Sequence, residues 1–131
     1  DEMNFEILQN ARDSLAAGGK LIFTTLNGLF PIFNSVREFL NREKEEGSAF
    51  LANLKFNLMT FRETAVITAV DDDGNEKTLQ TSERWYTPVE ITWLLKTLGF
   101  KQIDIYGAHL GEFSREHELT VGDFEMLVIA E

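Results

Sequence analysis

Met3, Ile7, Leu8, Ala11 and Leu15 recur at helical spacing, with Glu6, Gln9, Asn10 and Asp13 on the other side. This pattern predicts an amphipathic helix at the start of the chain. Gly18-Gly19 supplies the left-handed residue that ends such a helix. Lys20-Leu21-Ile22-Phe23-Thr24-Thr25 follows, short and nearly all apolar, as in a strand covered on both faces. After Asn27-Gly28, the run Leu29 to Phe33 is apolar but broken by Pro31. Ser35 and Glu38 have capping-box spacing and predict a helix carrying Val36, Phe39 and Leu40 on one face. Its polar tail, Asn41 to Glu46, ends at Gly47. Leu58 to Val70 is rich in Thr, Val, Ile and Phe and predicts one long strand. Asp71 to Asn75 is then a turn, and Glu76 to Ser82 the returning partner.

The next junction is the most sharply specified. Thr87-Pro88-Val89-Glu90 is a capping box with proline at the first helical position. Ile91, Leu94, Leu95 and Leu98 fall on one helical face, and Gly99 closes the helix. Phe100 to Tyr106 reads as a strand, Gly107 to Gly122 as a loop holding both histidines, and Phe124 to Ala130 as a final apolar strand. Helices thus alternate with strands around one inserted hairpin, with no repeat and no low-complexity linker. A chain of 131 residues has room for one domain with one sizeable core.

Charge and composition narrow the function classes. Acidic residues outnumber basic ones 22 to 12, a formal charge of −10, which repels phosphate backbones and anionic lipid. A nucleic-acid or membrane-surface partner is therefore not expected. With no cysteine, disulfides, thiolate nucleophiles and cysteine-ligated metals are excluded. The longest apolar runs fall far short of a membrane span and no secretory signal opens the chain, so the expected setting is cytoplasmic. The chain begins at Asp1 rather than Met, from which a processed, excised or truncated terminus is expected.

Three segments resemble a known family. Ile7 to Thr25, with Leu15-Ala16-Ala17-Gly18-Gly19-Lys20-Leu21 and Thr24-Thr25, looks like the "L..PGG.l...T" segment of class I S-adenosylmethionine-dependent methyltransferases. Arg84-Trp85-Tyr86-Thr87-Pro88-Val89-Glu90-Ile91, Leu94-Leu95 and Leu98-Gly99-Phe100 resemble that family's "R.YT..El..lL..aGF". Phe124 to Ala130 looks like its closing strand. The resemblance implies an α/β fold: the C-terminal part of a Rossmann-like methyltransferase sheet, with a terminal antiparallel strand and an inserted β-hairpin lid over residues 26–83. In such a sheet the last strand slots between the two before it, giving the order Lys20, Phe124 and Phe100 strands. The parent enzyme would move a methyl group from S-adenosylmethionine to a small molecule. The glycine-rich turn and ribose-binding acid of such a site have no counterpart here. No cofactor-binding residue is therefore expected in this chain; it should not hold the cofactor tightly, and alone it should be inactive.

Methyl transfer asks the protein for alignment and, for some acceptors, a base. Candidates must then lie near the carboxyl ends of the strands, where a doubly wound sheet opens its crevice. Asn27, just past the first strand, is placed to bind substrate, although Asn-Gly is also an ordinary turn. Arg84, Trp85 and Tyr86 precede a helix start and are the other substrate-binding candidates: two aromatic walls and an anchor for a carboxylate. Their structural alternative is packing over a sheet edge. His109 is the catalytic candidate, because an unperturbed imidazole near a strand end can accept a substrate proton; His117 lies deeper in the same loop. Glu112, Glu116 and Glu118 beside the two histidines match no ligand spacing, so no metal is expected. Asp71 to Glu76 lacks the alternate spacing of a calcium loop and reads as a charged hairpin tip. Leu29 to Phe33 is either core or a mobile apolar cover.

A competing reading is non-catalytic: a small α/β binding or self-association module, dimerising through an exposed edge of the Lys20 strand. A helix-grip ligand-binding domain is the third, and it would require a continuous antiparallel sheet.

Overall fold

The computed structural model describes residues 1–34, 54–109 and 111–131. By its internal contacts the chain forms two compact units: Asp1–Phe30 with Tyr86–Glu131, and Pro31–Trp85.

The first unit is a sheet with helices packed beside it. Helix α1 spans Glu2–Asp13 and strand β1 spans Leu21–Leu26, followed by the short helix α2, Leu29–Phe33. Helix α3 spans Pro88–Thr97, strand β5 Ile103–Ala108 and strand β6 Glu125–Ala130. The sheet order is β1-β6-β5, with β6 antiparallel to both neighbours. The final strand therefore sits in the middle, as the resemblance implies.

Local chemistry accounts for the helix ends. The Thr87 side chain accepts from the Glu90 amide at 3.3 Å, and the Glu90 carboxylate accepts from the Thr87 amide at 3.4 Å. Pro88 occupies the first turn, where no N–H is needed. Gly99, at φ 96°, closes the far end of α3. Helix α1 stops earlier than the glycine pair suggests. Ser14 is its C-cap in right-handed geometry, and Gly18, at φ 75°, shapes the turn into β1. Arg12, in the last turn of α1, donates to the Leu98 carbonyl at 2.9 Å and so caps the end of α3.

One face of the sheet carries the core. Tyr86, Ile91, Leu95, Leu98, Phe100, Met126, Val128 and Ala130 are buried together, with Phe5, Leu8, Leu15, Leu21 and Phe23 packed against them. The apolar face of α1 is rotated from the predicted one, because Phe5 and Leu8 reach the core while Met3 and Ile7 are exposed. On the opposite face Ala108, Leu127 and Ile129 form a second buried cluster against Tyr106. Strand β1 is not covered on both faces, contrary to the sequence expectation. Its burial alternates, and Ile22 is 57% exposed. It pairs with β6 on one side. Along its other side Tyr86 binds the chain at Leu26 and Gly28, its amide donating to Leu26 and its carbonyl accepting from Gly28.

In the second unit β2 (Lys55–Asn57), β3 (Arg62–Val70) and β4 (Glu76–Arg84) form an antiparallel sheet in that order. The strand expected over Leu58 to Val70 begins only at Arg62, with Leu58 to Phe61 as a turn that joins it to the preceding strand β2. Asn57 causes the turn. Its Oδ1 accepts from the Met59 and Thr60 amides at 2.9 and 3.2 Å, a side-chain-closed turn that competes with the ladder. Phe61 then adopts φ 50°. The Asp71–Asn75 turn joins β3 to β4 as predicted, with Val70 opposite Glu76. The sequence reading placed an insertion at 26–83; this unit spans Pro31–Trp85. The helix expected from Ser35 and its tail to Gly47 lie outside the described residues.

Candidate functional site

Strands β1 and β5 run in the same direction, so their carboxyl ends, Leu26 and Ala108, lie at one end of the sheet, and β6 begins there. Pairing of Ala108 with Glu125 brings the residues just after β5 next to those just before β6. Three side chains meet at this junction: His109, His117 and Asp123. His117 Nε2 stands 2.8 Å from Asp123 Oδ1, and His109 Nε2 stands 3.4 Å from the same oxygen. The two imidazole rings are edge to face, with centroids 4.4 Å apart.

Asp123 anchors the group and is itself anchored. Its side chain is 2% exposed. Oδ2 accepts from the Thr120 amide at 2.6 Å and the Thr120 hydroxyl at 2.9 Å, leaving Oδ1 for the histidines. Burial pushes the carboxyl up, but hydrogen bonds from His117 and Thr120 outweigh it and hold the group below the ordinary aspartate range. Asp123 is thus a carboxylate at neutral pH. Two backbone bonds hold the histidines' own positions: Gly107 donates to the His117 carbonyl at 3.0 Å, and Glu112 to the His109 carbonyl at 2.9 Å. His109 remains 54% exposed and borders a cleft of about 320 Å³ lined with Ala108, Phe124 and Glu125. Larger hollows of about 620 and 650 Å³ on the hairpin sheet carry, among the described residues, Lys55 and Arg62 as ionisable lining and no carboxylate or imidazole to pair with them.

Asn27 is at the same end of the sheet, but its side chain is turned inward. It is fully buried, and its Nδ2 donates to the carbonyls of Asp123 at 2.8 Å and Thr120 at 3.2 Å. Its Oδ1 accepts from the Leu29 amide at 3.1 Å. Asn27 therefore fastens the Thr120–Asp123 turn that presents the carboxylate. Tyr86 lies in the core, where its hydroxyl accepts from Asn4 Nδ2 at 2.9 Å. Arg84 donates from Nη1 to the Trp85 carbonyl. The Trp85 ring is buried and stands edge-on to Phe56, with centroids 6.2 Å apart. Arg84, Trp85 and Tyr86 do not line the cleft at His109. Asp123 was missed by sequence reasoning, which weighed the loop glutamates instead. The usable signal was the β5–β6 pairing, which folds the end of the loop back onto its beginning.

The glycines shape turns and helix ends. Those at positive φ are Gly18, Gly74, Gly99 and Gly111. They follow helices or sit in turns, and among the described residues none joins the end of a strand to the start of a helix in a glycine-rich phosphate turn.

No protein-family model matches the sequence, and no curated protein matches it. A solved structure does: the CcbJ methyltransferase from Streptomyces caelestis superposes with a TM-score of 0.62 at 11% identity. The fold is methyltransferase-like. The match covers 97% of this chain and 52% of that one, so the chain spans about half the length of that methyltransferase. Among the described residues no helix is long and apolar enough to cross a membrane.

Proposed function

We propose that this chain is the C-terminal, substrate-side part of an S-adenosylmethionine-dependent methyltransferase that acts on a small molecule in the cytoplasm. The observation that carries the reading is the sheet order, with β6 antiparallel between β1 and β5, in a fold similar over nearly its whole length to a methyltransferase. Strand β1 stands at the edge of the described sheet, and its side away from β6 is where a Rossmann-like sheet would continue into a cofactor-binding half. The residues of this chain do not fit the cofactor, for want of a glycine-rich strand-to-helix turn, and its site is assigned to that other half. Here the chain's own residues have two tasks. The cleft beside Phe124 holds the methyl acceptor, and His109, oriented by Asp123, takes its proton. Residues 26–83 would be the substrate lid that the resemblance implies. The net charge of −10 disfavours a nucleic-acid acceptor.

The test begins with the coding sequence upstream of Asp1. The protein from the complete reading frame is expected to bind S-adenosylmethionine by calorimetry, while residues 1–131 alone do not. In that protein His109→Gln should lower kcat about 10²-fold or more with little change in KM. A complete reading frame whose product binds no S-adenosylmethionine overturns the reading.

The position of β1 at the edge of the described sheet also favours a second one, a non-catalytic module that pairs with another copy through that edge. Light scattering separates the two. A concentration-dependent dimer of residues 1–131 that persists in the complete protein supports self-association; a monomer at high concentration counts against it.

A further inference from the structure

We propose that His109, His117 and Asp123 form a binding site for one divalent transition-metal ion of the zinc type. One ligand atom from each side chain lies within 4.8 Å of the others, and two of the separations are 2.8 and 3.4 Å. Zinc bonds of about 2.0–2.1 Å at tetrahedral angles set ligand atoms about 3.3 Å apart. The two histidine–carboxylate separations are within about half an ångström of that spacing, and the remaining one, which lies within 4.8 Å, closes by a turn of the exposed His109 ring. The donor set, two imidazole nitrogens and one carboxylate oxygen, suits zinc or cobalt rather than magnesium or calcium, which take mainly oxygen. Three protein ligands leave a fourth position open, and His109, the most exposed of the three, faces the cleft where water or a small anion would enter.

The surroundings are those of a supported ligand set. Thr120 holds the non-ligating carboxylate oxygen through its amide and hydroxyl, the outer-shell contact that orients metal-binding carboxylates. Asn27 in turn holds the carbonyls of Thr120 and Asp123. Residue 107 is a glycine, and a Cβ there would stand 2.5 Å from His117 Nε2 and 2.6 Å from Asp123 Oδ2. The fold has left out a side chain where the histidine and carboxylate close together. The inference needs only these side chains, and at His109 it is an alternative to the proton-accepting role rather than an addition to it. An ion there would occupy the His109 lone pair and silence that residue as a base.

The experiment titrates zinc chloride, and separately cobalt chloride, into the 131-residue chain freed of any polyhistidine tag, near pH 7.5. One equivalent of zinc should bind by calorimetry, with both imidazole ring resonances shifting together. Cobalt should add visible absorption of a four- or five-coordinate ion. His109→Gln and His117→Gln, each checked for native circular dichroism, should weaken zinc binding at least about tenfold, and excess magnesium should not compete. Wild-type imidazole resonances that zinc leaves unmoved overturn the proposal whether or not the variants fold. So does zinc binding that survives in both variants, or that magnesium displaces.

Discussion

Gly107 is the hole into which His117 fits. A Cβ at position 107 would collide with the His117 ring and come within 2.6 Å of Asp123 Oδ2. The constraint is one of space, since Gly107 is not among the residues at positive φ. Gly107→Ala should therefore expel the imidazole or force the loop outward, at the cost of overpacking, about 1–3 kcal/mol. The check has two parts: a lowered urea midpoint, and His117 ring resonances moved toward those of a solvated histidine. An alanine variant with unchanged histidine resonances would show that the loop gives way without releasing the pair.

Asn27 acts on the same group from below. Its two N–H bonds reach carbonyls of Thr120 and Asp123, and the buried one, to Asp123, is 2.8 Å. Asn27→Ala leaves the Asp123 carbonyl buried without its donor, which costs about 1–3 kcal/mol. Asn27→Asp is expected to be worse, because it sets a carboxylate against two carbonyl oxygens. Denaturant unfolding orders the three proteins. Faster amide exchange at Asp123 in the alanine variant should accompany the loss, since the Thr120–Asp123 turn loses its tether.

What could be read from the sequence follows the range of the forces involved. Helix α3 was legible almost to the residue, because the Thr87–Glu90 box, Pro88 and Gly99 act within one turn of where they stand. Strand β5 begins at Ile103 rather than Phe100 and runs on to Ala108, since its limits are set by pairing with β6, and Lys101 and Gln102 donate to the Glu131 carbonyl instead. The late start of β3 within the Leu58–Val70 segment was written in Asn57, whose side chain closes the turn before it, a local signal that the β-rich composition after it masked. The His109 candidate was found from its place after a strand. Its partner Asp123 was not, because their meeting depends on the antiparallel register of Ala108 with Glu125, which no spacing along the chain expresses.

The capping box at Thr87 offers a quantitative check on local reasoning. Its two hydrogen bonds, 3.3 and 3.4 Å, are longer than the usual range for N–H donors. Thr87→Ala should therefore cost toward the low end for a cap, about 0.5–1 kcal/mol, and thermal unfolding should show a correspondingly small drop in Tm. Thr87→Ser keeps the acceptor oxygen and should restore most of it. A loss well above this range would mean that Thr87 also holds the junction between Tyr86 and α3.

Acid should loosen the hairpin before the rest of the protein, and Asp71 is the reason. The Lys77 ammonium, 2.8 Å from Oδ2, is the largest influence holding its carboxyl below the ordinary 3.8, helped by bonds from Asn75 and Asp73. Oδ1 accepts from the Asn75 amide at 2.9 Å and the Asp73 amide at 3.1 Å. These partners all favour the ionised form, so the folded turn binds a proton less readily than the unfolded chain does. The contribution is complete above the unfolded value, about 3.9, and is lost as pH falls through the lower folded value. Amide exchange at Asn75 should accelerate in that window, while α3 amides at the same pH keep their protection. Asp71→Asn should abolish this acid dependence and weaken the turn at neutral pH, because the amide retains an acceptor oxygen but loses the charge that Lys77 faces. If Asn75 exchange in the wild-type chain runs parallel to that of α3 through the acid range, Asp71 is not what holds the turn.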